Sequence, residues 1–134
     1  MTELTAPENK KNIFIVDDDS FLLDMYATRF THAAFMVTTA NGAEDAIKKI
    51  KEGYTPDIML MDVVMPVTDG FEMLEQINKE GLIPKTVKIY LTNLGQQEDI
   101  DKGKALGALG YIVKANSTPS EVVEQVLQIV HDHE

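Results

Sequence analysis

The sequence predicts an α/β domain in which strand and helix alternate five times and the strands lie parallel in one sheet with helices on both faces. Two observations carry that prediction. Runs such as Ile13-Phe14-Ile15-Val16 and Ile58-Met59-Leu60-Met61 are apolar at every position, which suits strands buried on both faces. Between the strand-like runs stand segments with helical apolar spacing and short connections, the arrangement that produces a parallel sheet.

In chain order, Asn12 to Val16 reads as the first strand and ends in Asp17-Asp18-Asp19. Ser20 to about Ala33 is a helix, with Leu23, Tyr26, Ala27 and Phe30 on one face. Asp19 and Ser20 read as its cap. Phe35 to Thr39 is a short strand of β-forming residues. Asn41 is expected to cap a second helix, with Glu44 three residues on. That helix should bury Ala43, Ala46, Ile47 and Ile50 and stop at Gly53. The third strand runs from Asp57 into Asp62. Asp69 and Glu72 mark the start of the third helix, whose inward stripe is Phe71, Leu74 and Ile77. Val87 to Thr92 is the fourth strand. Gln96 to Leu106 is a helix with a poor apolar face and Gly103 in its interior, at a cost of about 1 kcal/mol relative to Ala. It is expected to be the least stable element. Gly110 to Val113 is the fifth strand, ending at Lys114. Thr118-Pro119-Ser120-Glu121 opens the last helix with cap, first-turn proline and capping-box acid. That helix should bury Val122, Val123, Val126, Leu127 and Val130. For five such repeats the flavodoxin-like strand order 2-1-3-4-5 is the common solution. It opens a crevice at the carboxyl ends of strands one and three.

The chain has 134 residues, which suits one domain with a core of its own. Residues 1–11 read as a flexible lead and 12–134 as the domain. The lead lacks the apolar core of a signal peptide, and no apolar run has the length of a membrane span. Cysteine is absent, which excludes disulfides and thiolate metal sites and fits a reducing, cytoplasmic setting. The net charge of −10 argues against unaided binding to nucleic acid and favours cationic ligands.

The topology gathers polar groups at one edge of the sheet. Strand one brings Asp17 and Asp18, strand three Asp62, strand four the Thr92 hydroxyl and strand five Lys114. Two carboxylates about 4 Å apart repel by roughly 4 kcal/mol at an effective dielectric near 20. Such a cluster must share a proton, meet the lysine or bind a cation. An all-oxygen donor set suits Mg2+, with Mn2+ as a substitute. A carboxylate there can attack phosphorus and form an acyl phosphate, with Lys114 and Thr92 contacting the phosphoryl oxygens.

Four stretches in this order resemble the receiver domain of bacterial response regulators, from about Asn12 to Val130. They are Ile15-Val16-Asp17-Asp18-Asp19-Ser20, Met61 through Asp69-Gly70, Tyr90-Leu91-Thr92, and Gly110-Tyr111-Ile112-Val113-Lys114. The resemblance implies a stand-alone two-component switch with Asp62 as the acceptor of a phosphoryl group from a histidine kinase or phosphotransfer protein. It implies Mg2+ held by Asp18 directly, by Asp17 through water, by Asp62 and by the Val64 carbonyl. It implies Thr92 and Tyr111 as a switch pair and the fourth helix, fifth strand and fifth helix as the altered surface. Such a module turns over no separate substrate and acts on a protein partner or by self-association. The expected state is a monomer, with dimerisation on phosphorylation left open.

Three positions depart from the pattern. Ala115 follows the lysine where proline is usual, so the loop there is either trans or strained, since a cis bond before alanine costs about 3 kcal/mol. Asn93 stands where a small residue is usual. Val64 and Leu94, at positions that influence how water reaches the phosphate in this family, are apolar, which predicts slow self-dephosphorylation. Asp17-Asp18-Asp19 after an apolar strand also resembles the Asp-x-Asp motif of haloacid-dehalogenase-like phosphatases, with Asp17 as nucleophile. Against that, Phe21 stands where that family has Thr or Val, and no acidic pair follows Lys114. A receiver-like module that binds its partner without phosphorylation is the third reading. Tyr90 and Met65 read as packing residues, and His131 and His133 as part of a solvated tail.

Overall fold

In the computed structural model, which describes residues 10–134, five strands form one parallel sheet in the order β2-β1-β3-β4-β5. Residues 1–9 of the expected lead lie outside the described residues. The elements are β1 (Asn12–Val16), α1 (Ser20–His32), β2 (Met36–Ala40), α2 (Ala43–Lys51), β3 (Ile58–Met61), α3 (Gly70–Lys79), β4 (Val87–Thr92), α4 (Gln97–Ala105), β5 (Gly110–Val113) and α5 (Pro119–Asp132).

Alternation along the strands splits the core into two layers. Ile13, Ile15, Ile58, Leu60, Ile89, Leu91 and Ile112 face Leu23, Tyr26 and Phe30 of α1 and the valines of α5. Phe14, Val16, Met59, Met61 and Tyr90 face α2 and α3. Because β1 and β3 are covered on both sides, neither of their faces needs polar residues, which is why those runs read as continuously apolar. No helix among the described residues is long and apolar enough to cross a membrane.

Capping chemistry starts three helices as expected. Asp19 accepts from the Leu22 N–H, and full capping boxes form between Asp69 and Glu72 and between Thr118 and Glu121. Four expectations are corrected. Strand β2 begins one residue later, at Met36, because the Phe35 N–H closes onto the Phe30 carbonyl at the end of α1. The cap of α2 is Gly42 rather than Asn41, and no side chain satisfies the helix start. Ile47 is only partly buried. Leu127 is 49% exposed; it falls on the flank of the α5 stripe, whose inner positions are Val122, Val123, Val126 and Val130, with Ile129 partly buried beside them.

The poor apolar face of α4 has a local explanation. Gly103 is its only buried residue, and a Cβ there would lie 3.0 Å from the Tyr90 ring and 3.1 Å from the Tyr111 ring. The interior glycine lets the helix backbone rest directly on two aromatic rings.

Candidate functional site

The residues just after β1, β3 and β5 deliver the site's charged groups to the carboxyl edge of the sheet. Asp17 follows the last residue of β1, and its backbone N–H is fixed by the Ala40 carbonyl at the end of β2. Asp62 follows β3, and its N–H is held by the Val16 carbonyl. These two bonds continue the sheet by one residue and set both acids side by side. Lys114 follows β5 at the start of a short 3-10 turn, Lys114–Asn116.

Lys114 Nζ donates to Asp17 Oδ2 at 2.7 Å and to Asp62 Oδ2 at 3.0 Å. Both carboxylates and the ammonium are largely removed from water. The remaining oxygens are occupied by backbone. Asp17 Oδ1 accepts from the Asp19 N–H at 2.9 Å, and Asp62 Oδ1 accepts from Val63 at 2.7 Å and Val64 at 3.3 Å. Burial pushes the Asp17 carboxyl above its ordinary range, and its bond to Lys114 only partly offsets this. Burial pulls Lys114 downward, but the Asp17 hydrogen bond and the Asp62 charge outweigh it and hold the ammonium above its usual value.

Asp18 is exposed at the mouth. One carboxylate oxygen each from Asp17, Asp18 and Asp62 lies within 4.8 Å of the others. Three acids against one lysine leave the cluster short of positive charge. A hard divalent cation such as Mg2+, which takes oxygen ligands and keeps several waters, fits that donor set.

Thr92 is fully buried, and its hydroxyl accepts from the Leu94 N–H at 3.3 Å. Tyr111 is partly buried, and its hydroxyl donates to the Leu94 carbonyl. The two residues expected to act as a pair are therefore joined through one residue, Leu94, whose N–H serves Thr92 and whose carbonyl serves Tyr111. The bond from Lys114 to Ala115 is trans, as are all peptide bonds among the described residues. Of the two outcomes open for that loop, the trans one is realised, and the lysine still reaches both acids. Val64 is 61% exposed beside Asp62, and Leu94 is partly buried. His131 and His133 lie at the exposed end of α5, where His133 bonds the Ile129 carbonyl.

The loop from Asp62 to α3 returns tightly on itself. The Gly70 N–H donates to the Val63 carbonyl at 2.7 Å, and a Cβ at Gly70 would lie 2.1 Å from the Asp62 carbonyl oxygen. Only glycine fits there. Between them, Val67 has φ 70 with its side chain fully in solvent, and the Thr68 N–H bonds back to the Pro66 carbonyl at 2.8 Å. Gly70 and Tyr90, whose hydroxyl donates to the Gly70 carbonyl at 2.8 Å, belong to the site's support. The Asp-Gly pair signals a turn in sequence; nothing in sequence signals the reach of Tyr90.

A family model described as the response regulator receiver domain matches residues 13–127. The chain is 34% identical to the chemotaxis protein CheY of Halobacterium salinarum over 110 residues, covering 82% of this chain and 89% of that one. It is 32% identical to the probable transcriptional regulator ycf27 of Guillardia theta over 123 residues, covering 92% of this chain but 46% of the relative. The chain thus spans about half the length of the ycf27 regulators it matches. A CheY-like receiver domain from Methanospirillum hungatei superposes with a TM-score of 0.82 at 28% identity, over 92% of this chain and 96% of that one.

Proposed function

The chain belongs to the response regulator receiver family, and from that premise we propose that Asp62 accepts a phosphoryl group from a histidine kinase or phosphotransfer protein and that the resulting acyl phosphate switches the surface formed by α4, β5 and α5. The observation that carries this reading is Lys114 bridging Asp17 and Asp62 at 2.7 and 3.0 Å beside Asp18. One cation and three acids at the end of a buried strand suit the transfer of a dianionic group onto one of the acids.

In the transfer, a carboxylate oxygen of Asp62 attacks phosphorus. The P–N bond to the donor histidine breaks as the new P–O bond forms, and the histidine retains the electron pair and takes up a proton. Catalysis of such a step is mostly positioning and charge stabilisation. Asp62 is held for it by the Val63 and Val64 N–H groups. Lys114 is already within bonding distance of Asp62 and needs only to exchange a carboxylate partner for a phosphoryl oxygen. Asp17, Asp18, Asp62 and the Val64 carbonyl are the groups that would hold Mg2+, which when bound neutralises charge on the phosphoryl oxygens.

The switch follows from Leu94. A Thr92 hydroxyl that turns to donate to the phosphoryl group releases the Leu94 N–H and so frees the residue whose carbonyl holds Tyr111. Its output is a change of surface read by a protein partner, with no second substrate. The reading treats 12–134 as a single receiver unit. The placement of Lys114 favours it over a module that never carries phosphate.

Titration with beryllofluoride and Mg2+, followed by the amide resonances of Val63 and Val64, tests this proposal. Saturable, Mg2+-dependent shifts that vanish in Asp62→Asn are expected. Shifts that persist in Asp62→Asn, or none in the wild type, would refute it.

A further inference from the structure

Tyr90 sits at the centre of the α3-side core with no exposure to solvent. Its hydroxyl reaches back to the Gly70 carbonyl at 2.8 Å, and Gly70 is the residue pressed against the Asp62 backbone. Its ring packs edge-on against Phe71 at 5.4 Å and at a 47° tilt against Tyr111 at 5.7 Å. Phe71, Tyr90 and Tyr111 thus form a continuous aromatic row from the first turn of α3 to β5.

Helix α4 rests on that row. Gly103 lies against Tyr90 and Tyr111, and Lys102 stands 5.0 Å from the centroid of the Phe71 ring. Elsewhere the helix end is held by Asn78, which donates to the Leu106 carbonyl at 2.8 Å. A helix whose only buried residue is a glycine has no stripe of its own to anchor it. Its position is set by the rings beneath it.

From this arrangement we infer that Tyr90 is a positioning residue that couples the loop behind Asp62 to the seat of α4, independently of Thr92. The inference rests on the switch reading above and names a second route by which that site governs the same helix. Gly70 and Phe71 are adjacent in sequence, and Tyr90 grips one with its hydroxyl and the other with its ring. A shift of the Asp62–Gly70 loop therefore moves the Tyr90 ring, and with it the surface that Gly103 occupies. Contiguity alone does not make a coupling route; the element that both ends bias must be shown to respond. Here that element is α4, weakly anchored and suited to shifts of modest energy.

The test is hydrogen exchange of α4 amides with and without beryllofluoride plus Mg2+, in wild type, Tyr90→Phe and Tyr90→Leu. Tyr90→Phe keeps the ring and removes only the hydroxyl. The ligand-induced change in α4 protection should fall about fivefold or more in Tyr90→Phe, while the ligand-induced shifts of the Val63 and Val64 amides remain. Tyr90→Leu, which also removes the ring, should lower the α4 response further, to what the Thr92 route alone carries. A merely structural role would alter α4 protection equally with and without the ligand and leave the difference intact, and that result overturns the inference. An unchanged α4 response in Tyr90→Phe overturns it as well, with the switch reading untouched. Absence of any wild-type response at Val63 and Val64 refutes the switch reading itself, and the inference falls with it.

Discussion

Lys114 Nζ stands 3.0 Å from Asp62 Oδ2 even though the residue after it is Ala115 and the intervening peptide is trans. The 3-10 turn over Lys114–Asn116 aims the side chain instead. The lysine compensates two buried acids, so removing it leaves like charges facing each other with little solvent. Breaking a buried ion pair on one side costs roughly 3–5 kcal/mol. Lys114→Met should therefore lower stability by roughly 3 kcal/mol in metal-free buffer, and Mg2+ should restore part of the loss by binding the folded state. Urea unfolding with and without Mg2+ measures both. An unchanged midpoint without metal would show that the lysine does not compensate the acids.

Val64 projects into solvent beside Asp62, and neither it nor Leu94 can hold a water by hydrogen bonding. The acyl phosphate should accordingly be long-lived. Val64→Asn supplies an amide that can orient water and should shorten the half-life by about tenfold, less than a general base contributes because the amide takes no proton. The decay of labelled protein after removal of the phosphodonor reports it. Equal half-lives would dismiss the role given to Val64.

Val67 holds φ 70 with its side chain wholly exposed. For a β-branched residue the left-handed region costs about 1–2 kcal/mol, and nothing packs on the side chain in return. Val67→Gly removes that strain but enlarges the freedom of the unfolded chain, which takes back about 0.4–1 kcal/mol. The net expectation is a gain of about 0.5–1 kcal/mol in urea unfolding. A loss would mean that the Val67 side chain makes a contact that matters.

Much of this was legible in the sequence, for identifiable reasons. Strands β1, β4 and β5 were expected at the residues where they occur, because short runs rich in apolar and β-forming residues are what a covered sheet requires. Asp17, Asp62, Thr92 and Lys114 were expected at one edge because strand order alone brings strand ends together. What escaped was geometry set by partners distant in sequence. Leu127 looks like a stripe residue until the width of the covered face is known. Gly103 looks like a helix defect until Tyr90 and Tyr111 are seen beneath it. Lys88 is buried within β4 and, among the described residues, answered only by the Ile83 carbonyl at 2.7 Å; burial holds its ammonium below the usual range. No local pattern announces that a strand lysine will turn inward.

All four tyrosines should resist ionisation. Burial is the first cause at Tyr26, Tyr54, Tyr90 and Tyr111, and each is raised from an ordinary value of 10.0, Tyr111 to about 12. A folded value above the unfolded one gives stability that is present below pH 10 and is lost as pH rises through the folded value. For Tyr111 that window runs from pH 10 to about 12. Near-ultraviolet titration should show far less than half the tyrosinate signal at pH 10, with the remainder released on unfolding in guanidinium. Half-ionisation at pH 10 in the folded protein would contradict the burial of these hydroxyls.

The central claim is that Asp62, and not Asp17, carries the phosphoryl group. Labelling with a small phosphodonor and Mg2+, trapping the acyl phosphate with borohydride as homoserine and mapping the peptide by mass spectrometry tests it directly. Homoserine at position 62, dependent on Mg2+ and absent from Asp62→Asn, is the predicted result. Homoserine at position 17, or labelling that survives in Asp62→Asn, would contradict it.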